Sequence, residues 1–218
     1  METTAPRPAR PSDEKLFLVI VIALALVAGV GSWFAATALA HRDTLHGLQP
    51  DKLRQLVDFS LTDATGRTVT RAELDGKILV VSFLFTSCSL TCPEVSKRMA
   101  EIQNQTATNA DVRLLSLTVD PRSDTLPVLT RWGARFGADT NRWFLLTGDK
   151  TALHALIGNS FLAVATNNPF LSMPGNFTGT ERIAVVDRHG RTRIYFDGLR
   201  VETPAAVVAE IARLRGEP

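Results

Sequence analysis

The chain has 218 residues, 45% of them hydrophobic, with 24 basic and 22 acidic side chains and a net charge of +2. Balanced charge with scattered arginines excludes the basic stripe that a nucleic-acid binder needs, so no nucleic-acid partner is expected. Its two cysteines, Cys88 and Cys92, lie too close together for a disulfide-stapled scaffold, which uses more cysteines and closes longer loops.

The first element in chain order is an uncharged run of 25 residues over 16–40. About 20 apolar residues cross the hydrocarbon core of a bilayer, and this run has no polar face of the kind a core helix shows. It is predicted to be a transmembrane anchor behind a short tail over 1–15. Ala38-Leu39-Ala40 also fits a signal-cleavage pattern, but the apolar regions of signal peptides are shorter, roughly 7–15 residues. Arg7, Arg10 and Lys15 before the run and Arg42, Lys52 and Arg54 after it leave the positive-inside count close to a tie. A tail with nothing to fold around is placed inside, and the domain outside. In a bacterium this means the cytoplasmic membrane with the domain facing the periplasm. A polar connector over 41–56 then leads to one domain over 57–216, long enough for a single core.

Alternation over 58–63, a turn at Ala64-Thr65-Gly66-Arg67 and a return over 68–70 predict a small hairpin. The run over 78–85 is apolar on both faces and rich in branched and aromatic residues, which predicts a central strand covered on both sides. Directly after it comes Thr86-Ser87-Cys88-Ser89-Leu90-Thr91-Cys92-Pro93. Pro93 suits a first helical position, and Val95, Met99 and Ile102 recur at helical spacing, so a helix is predicted over 93–105. A strand over 112–119, a helix over 125–136, a strand over 143–146 and a helix over 150–157 follow. Strands over 182–186 and 192–196 flank a turn at Asp187-Arg188-His189-Gly190, and Thr203-Pro204 opens a last helix through Leu214. This order predicts an α/β fold with a mixed sheet. Ligand sites in such sheets lie off the carboxyl ends of the strands, which is where the cysteine loop leaves.

Cys88 and Cys92 are therefore the candidate site. At a helix N-terminus, unpaired N–H groups favour thiolate over thiol. Thiolate is both the nucleophile of disulfide exchange and a soft ligand for Cu(I). Zinc is less suited, because structural sites take four ligands and no second Cys/His pair is present.

Five stretches occur in order: Phe59-x-Leu61-x-Asp63-x-x-Gly66, Leu74-x-Gly76-Lys77, Phe83-x-Phe85-Thr86-x-Cys88-x-x-x-Cys92-Pro93, Val119-Asp120-Pro121-x-x-Asp124-Thr125 and Trp143-x-x-Leu146-Thr147-Gly148. In these the sequence resembles the Sco (SenC-type) family of membrane-tethered, thioredoxin-like proteins associated with assembly of the copper centre of cytochrome oxidase. The resemblance implies a thioredoxin-like fold, copper as Cu(I) on Cys88 and Cys92, cycling of the pair between dithiol and disulfide, and a cytochrome oxidase subunit or another copper protein as partner. Asp120 matches an acidic position near the family's site, although an aspartate before Pro121 also caps a loop.

One expected feature is missing. The resemblance implies a histidine as third copper ligand shortly before the last hairpin, where this chain reads Asn176-Phe177-Thr178-Gly179-Thr180-Glu181-Arg182. Its four histidines, His41, His46, His154 and His189, lie elsewhere. Met173 is the remaining soft donor in that region. Three functions stay open at this point: Cu(I) binding for oxidase assembly, thiol–disulfide reduction of a partner without copper, and a docking module without chemistry.

Overall fold

In a computed structural model of the chain, the described residues are 54–161 and 181–217, together with the helical, exposed Ile22. The chain divides into two compact units, Met1–Gly47 and Leu48–Pro218. Ile22 apart, the first unit lies outside the described residues, and with it the predicted tail and anchor. No helix among the described residues is long and apolar enough to cross a membrane.

The second unit is built on a seven-stranded sheet. Its strands are β1 (Ser60–Asp63), β2 (Thr68–Thr70), β3 (Ile78–Leu84), β4 (Val112–Thr118), β5 (Trp143–Thr147), β6 (Arg182–Val186) and β7 (Thr192–Asp197), in the order β2-β1-β5-β4-β3-β6-β7. β3, β4 and β5 are parallel neighbours, while β1, β2, β6 and β7 pair antiparallel. Among the described residues the helices of this unit are α1 (Thr91–Gln105), α2 (Leu126–Arg135), α3 (Lys150–Ser160) and α4 (Thr203–Arg215), with a 3-10 turn at Ala72–Leu74. Every strand and helix predicted from the domain sequence is present, as is the mixed sheet.

β3 is buried along its whole length, as a run apolar on both faces requires. Ile78, Val80 and Leu84 face a core shared with Val95, Met99 and Ile102 of α1, Trp132 of α2 and Ile211 of α4. Leu79, Val81 and Phe83 face a second core with Leu153 and Ile157 of α3. A polar pin crosses the first core. The Ser82 and Ser116 hydroxyls lie 2.8 Å apart, and Trp143 Nε1–H donates to Ser116 Oγ at 2.9 Å.

Residues 54–56, at the end of the predicted connector, belong to the folded body. Leu56 is buried, its N–H donates to the Gly190 carbonyl at 2.7 Å, and the Arg54 guanidinium donates to the Gly158 carbonyl at 2.7 Å. Helix α1 also begins two residues earlier than predicted, at Thr91. The first four N–H groups of a helix have no intrahelical acceptor, so proline fits anywhere in that turn, and Pro93 takes its third position.

Pairing brings four chain ends together. Leu84 lies beside Thr118, Ser82 beside Ile183, and Arg182 beside Asp197. The carboxyl ends of β3, β4 and β7 and the start of β6 thus share one end of the sheet.

Candidate functional site

The loop that leaves β3 at this end carries Cys88 and runs into α1, whose first turn carries Cys92. Both cysteines are free. Cys92 is 1% exposed and belongs to the core formed with Leu84, Val95 and Met99, whereas Cys88 is half-buried at its margin. The Cys92 N–H donates to Cys88 Sγ at 3.2 Å, and the Thr91 hydroxyl lies 3.2 Å from the same sulfur. The Cys88 N–H is in turn taken by the Phe85 carbonyl at 3.1 Å, which folds the loop back on its origin.

This arrangement separates the two thiols electrically. Burial alone would push Cys88 up, but the Thr91 hydroxyl and the Cys92 N–H favour its anion and bring it from 9.0 down to about 7. Burial dominates at Cys92 and pushes it to about 12; a backbone bond at Phe85 opposes this and the neighbouring Cys88 adds to it. Near neutral pH the accessible sulfur is poised to be thiolate while the buried one keeps its proton. The Cys92 N–H in the first turn of α1 favours the Cys88 thiolate, as expected of a helix N-terminus, whereas Cys92 itself is pushed the other way because burial outweighs the helix end.

Beneath the loop lies a residue whose role sequence reasoning missed. Asp124 is 0% exposed and precedes the N-cap of α2. Its Oδ1 accepts the Thr86 N–H at 3.0 Å and the Thr86 hydroxyl at 2.5 Å, and its Oδ2 accepts the Thr118 hydroxyl. Three chain ends therefore meet on one carboxylate. The signal was the Val119-Asp120-Pro121-x-x-Asp124 stretch itself, but its adjacency to Thr86 exists only in the folded chain. Asp120 takes part through its backbone: its carbonyl accepts the Asp124 N–H at 2.9 Å, and its N–H donates to the Thr118 hydroxyl at 3.0 Å.

The other candidates do not join the pair. His154 is exposed on α3, which packs on the opposite face of the sheet from α1. His189 is exposed in the β6–β7 turn, a full strand, roughly 15 Å, from the cysteine end. His41, His46 and Met173 lie outside the described residues, as do residues 176–180. Among the described residues no group of three or more His, Cys, Asp or Glu side chains is placed to hold a metal ion. Two thiols, one in the loop and one in the first turn of the helix it enters, form a soft pair that suits Cu(I) in donor chemistry.

The SCO1/SenC family model matches residues 49–216, which takes in the whole sheet, both cysteines and all four helices. The chain belongs to this family. A Bacillus subtilis SCO1 protein homolog is 32% identical over 91 residues, covering 41% of this chain and 47% of that protein. The chain spans about half the length of the curated relatives it matches. The structure of Bradyrhizobium japonicum ScoI with copper bound superposes with a TM-score of 0.57 at 26% identity, covering 72% of this chain and 98% of that one. BsSco, described as a member of the Sco family of cytochrome c oxidase assembly proteins, gives a TM-score of 0.65 at 20% identity, covering 78% and 99%. The latter likeness establishes the fold, which is the thioredoxin-like α/β fold of Sco proteins.

Proposed function

We propose that this Sco protein carries Cu(I) on the thiolates of Cys88 and Cys92 and passes it to the copper centre of a respiratory cytochrome oxidase or to another copper protein. In this reading, residues 16–40 anchor the chain in a bacterial cytoplasmic membrane and the domain faces outward. The observation that carries the proposal is the convergence of the chain's two cysteines, with the Cys92 N–H on Cys88 Sγ, at the carboxyl end of the central strand. Soft thiolates select Cu(I) over harder ions, and the copper-bound Bradyrhizobium relative and the oxidase-assembly role of the family support the cargo. Copper is cargo in this reading, and its ligands from this chain are the two sulfurs.

The electrical asymmetry of the pair favours a second reading, thiol–disulfide exchange. The Cys88 thiolate attacks one sulfur of a partner disulfide, forming a mixed disulfide and expelling the partner's other sulfur, which takes up a proton. Cys92 then gives up its proton and attacks Cys88 Sγ, and the partner sulfur held in the mixed disulfide leaves and takes up a proton. The partner gains two thiols and this chain leaves as the Cys88–Cys92 disulfide, to be reduced again by an external dithiol. A docking role without chemistry has less support, because both cysteines and their strand–helix setting are intact.

The experiment is an anaerobic Cu(I) titration of the reduced full-length chain in detergent against a competing chelator, beside Cys88→Ser, Cys92→Ser and Met173→Leu. Tight one-to-one binding lost in both serine variants is the expected outcome, and a loss in Met173→Leu would identify a thioether ligand. Binding no tighter than in the serine variants would reject the copper role and leave the exchange reading.

A further inference from the structure

The hydrogen bonds that set Cys88 apart depend on where the loop from Phe85 to Leu90 sits. That loop has few anchors of its own. Leu90, its last residue, is 79% exposed, and the φ/ψ of Leu90 at the helix N-cap provides no side-chain cap for α1. Thr86, at the other end, is held differently: both its N–H and its hydroxyl go to Asp124. Asp124 is fixed from the far side by the Thr118 hydroxyl at the end of β4 and by its own N–H on the Asp120 carbonyl. All three side-chain and backbone donors to this buried carboxylate are neutral, and two of them belong to one residue two positions before Cys88.

We propose that Asp124 is a positioning residue for the cysteine pair, holding Thr86 so that the loop delivers Cys88 Sγ to the Cys92 N–H and the Thr91 hydroxyl. It touches neither sulfur and acts through Thr86. A buried carboxylate gains nothing from this place unless its oxygens are satisfied, and the satisfying donors are the loop itself, so carboxylate and loop order each other. This placement of Cys88 deepens the reading of the cysteines as the working site, yet holds whether their task is copper or disulfide exchange.

Substitutions separate shape from charge. In Asp124→Asn the amide oxygen keeps both Thr86 donors, and the amide N–H₂ faces the Thr118 oxygen, which is able to accept. In Asp124→Ala, Thr86 has no partner. The readout is the rate at which the reduced full-length chain is alkylated at Cys88 at pH 7, measured on Cys92→Ser backgrounds and confirmed by peptide mass. Asp124→Ala is expected to slow it about fivefold, because the loop no longer holds Cys88 Sγ at the Cys92 N–H and the Thr91 hydroxyl, while Asp124→Asn stays within about twofold of the parent. Ser116→Ala, which removes the buried Trp143 and Ser82 contacts away from the loop, serves as a control for general loosening and should leave the rate unmoved. Should Asp124→Ala fail to fold, Thr86→Val removes one of the two loop donors in near-isosteric form and is expected to slow alkylation about twofold. A parental rate in Asp124→Ala, or in Thr86→Val if the alanine variant is lost, would overturn the proposal. So would equal slowing in Ser116→Ala, or an Asp124→Asn rate as low as that of alanine. A chain that binds no Cu(I) but shows this pattern would reject the copper reading and retain Asp124 as the positioning residue.

Discussion

Two buried aspartates stand at opposite ends of the same sheet, and they are satisfied in different ways. Asp187, 4% exposed in the β6–β7 turn, takes the Arg191 side chain at 2.8 Å and Arg193 at 3.1 Å, and Arg193 goes on to Glu217 beyond α4 at 2.7 Å. Burial alone would raise its pKa, but the Arg191 backbone N–H, and after it the Arg191 and Arg193 side chains, hold the carboxyl below its ordinary value. Asp124, fully buried under the cysteine loop, is met by a threonine N–H and two threonine hydroxyls. Asp187 also accepts the His189 and Arg191 N–H groups at 2.9 Å each, so one end of the domain adds charge to its backbone bonds and joins distant segments, whereas the other is tied by neutral, directional bonds alone. A guanidinium beside the cysteines would pull both thiols toward the anion. Neutral donors aimed at one sulfur lower Cys88 and leave Cys92 protonated.

The largest expected effect is at the charged end. Asp187→Ala strands two partly exposed arginines and should cost about 2–3 kcal/mol in chemical denaturation, while Cys88 alkylation stays unchanged. A loss below about 0.5 kcal/mol would mean that the arginines find water as good a partner. Because the folded-state carboxyl lies below 3.8, its stabilisation is complete above that value and is lost as pH falls through the lower folded one. The variant should therefore unfold in acid over a shallower curve.

At the neutral end stability moves little and reactivity moves more. Thr91→Val should change stability by about 1 kcal/mol or less and slow Cys88 alkylation at pH 7 about fivefold. Cys88 is shifted down from 9.0 to about 7, so its thiolate adds stability that is present above 9.0 and disappears as pH falls through 7. Cys92 has the opposite sign: its stability is present below 9.0 and is lost as pH rises toward 12. A titration by alkylation that found both thiols near 9 would erase the contrast between the ends. The smallest effect belongs to Leu90→Ala, which trims an exposed side chain without adding a cap and should leave stability within about 0.5 kcal/mol and the alkylation rate at the parental value.

The elements were legible because their signals are local. The run from Ile78 to Leu84 carries its burial in composition, and Gly66 and Gly190, both at positive φ, mark the two hairpin turns. Cys88 and Cys92 were legible as a pair from their place between strand and helix. What could not be read was anything that depends on strand order. Thr86 and Asp124 are 38 positions apart and meet because β3 and β4 are parallel neighbours. The same holds for exposure: nothing in Cys-x-x-x-Cys states which sulfur turns toward Leu84 and Met99 and which toward solvent. The start of α1 at Thr91 escaped because proline is compatible with any position in a first turn.

The serine pin between β3 and β4 has a consequence for assembly of the site. Ser82 pairs with Ser116 across the two strands, and Trp143 on β5 closes on the same hydroxyl. Sliding β3 along β4 by one residue would turn Ser82 into the opposite apolar layer, away from its partner. The same slip would carry Thr86 about 3.3 Å along the strand direction, out of reach of the Asp124 carboxylate. Three polar side chains in the middle of an oily core thus add an alignment penalty: a chain that collapses out of step leaves hydroxyls and an indole N–H stranded, on top of the apolar pattern that already sets the register and still holds it when one hydroxyl is removed.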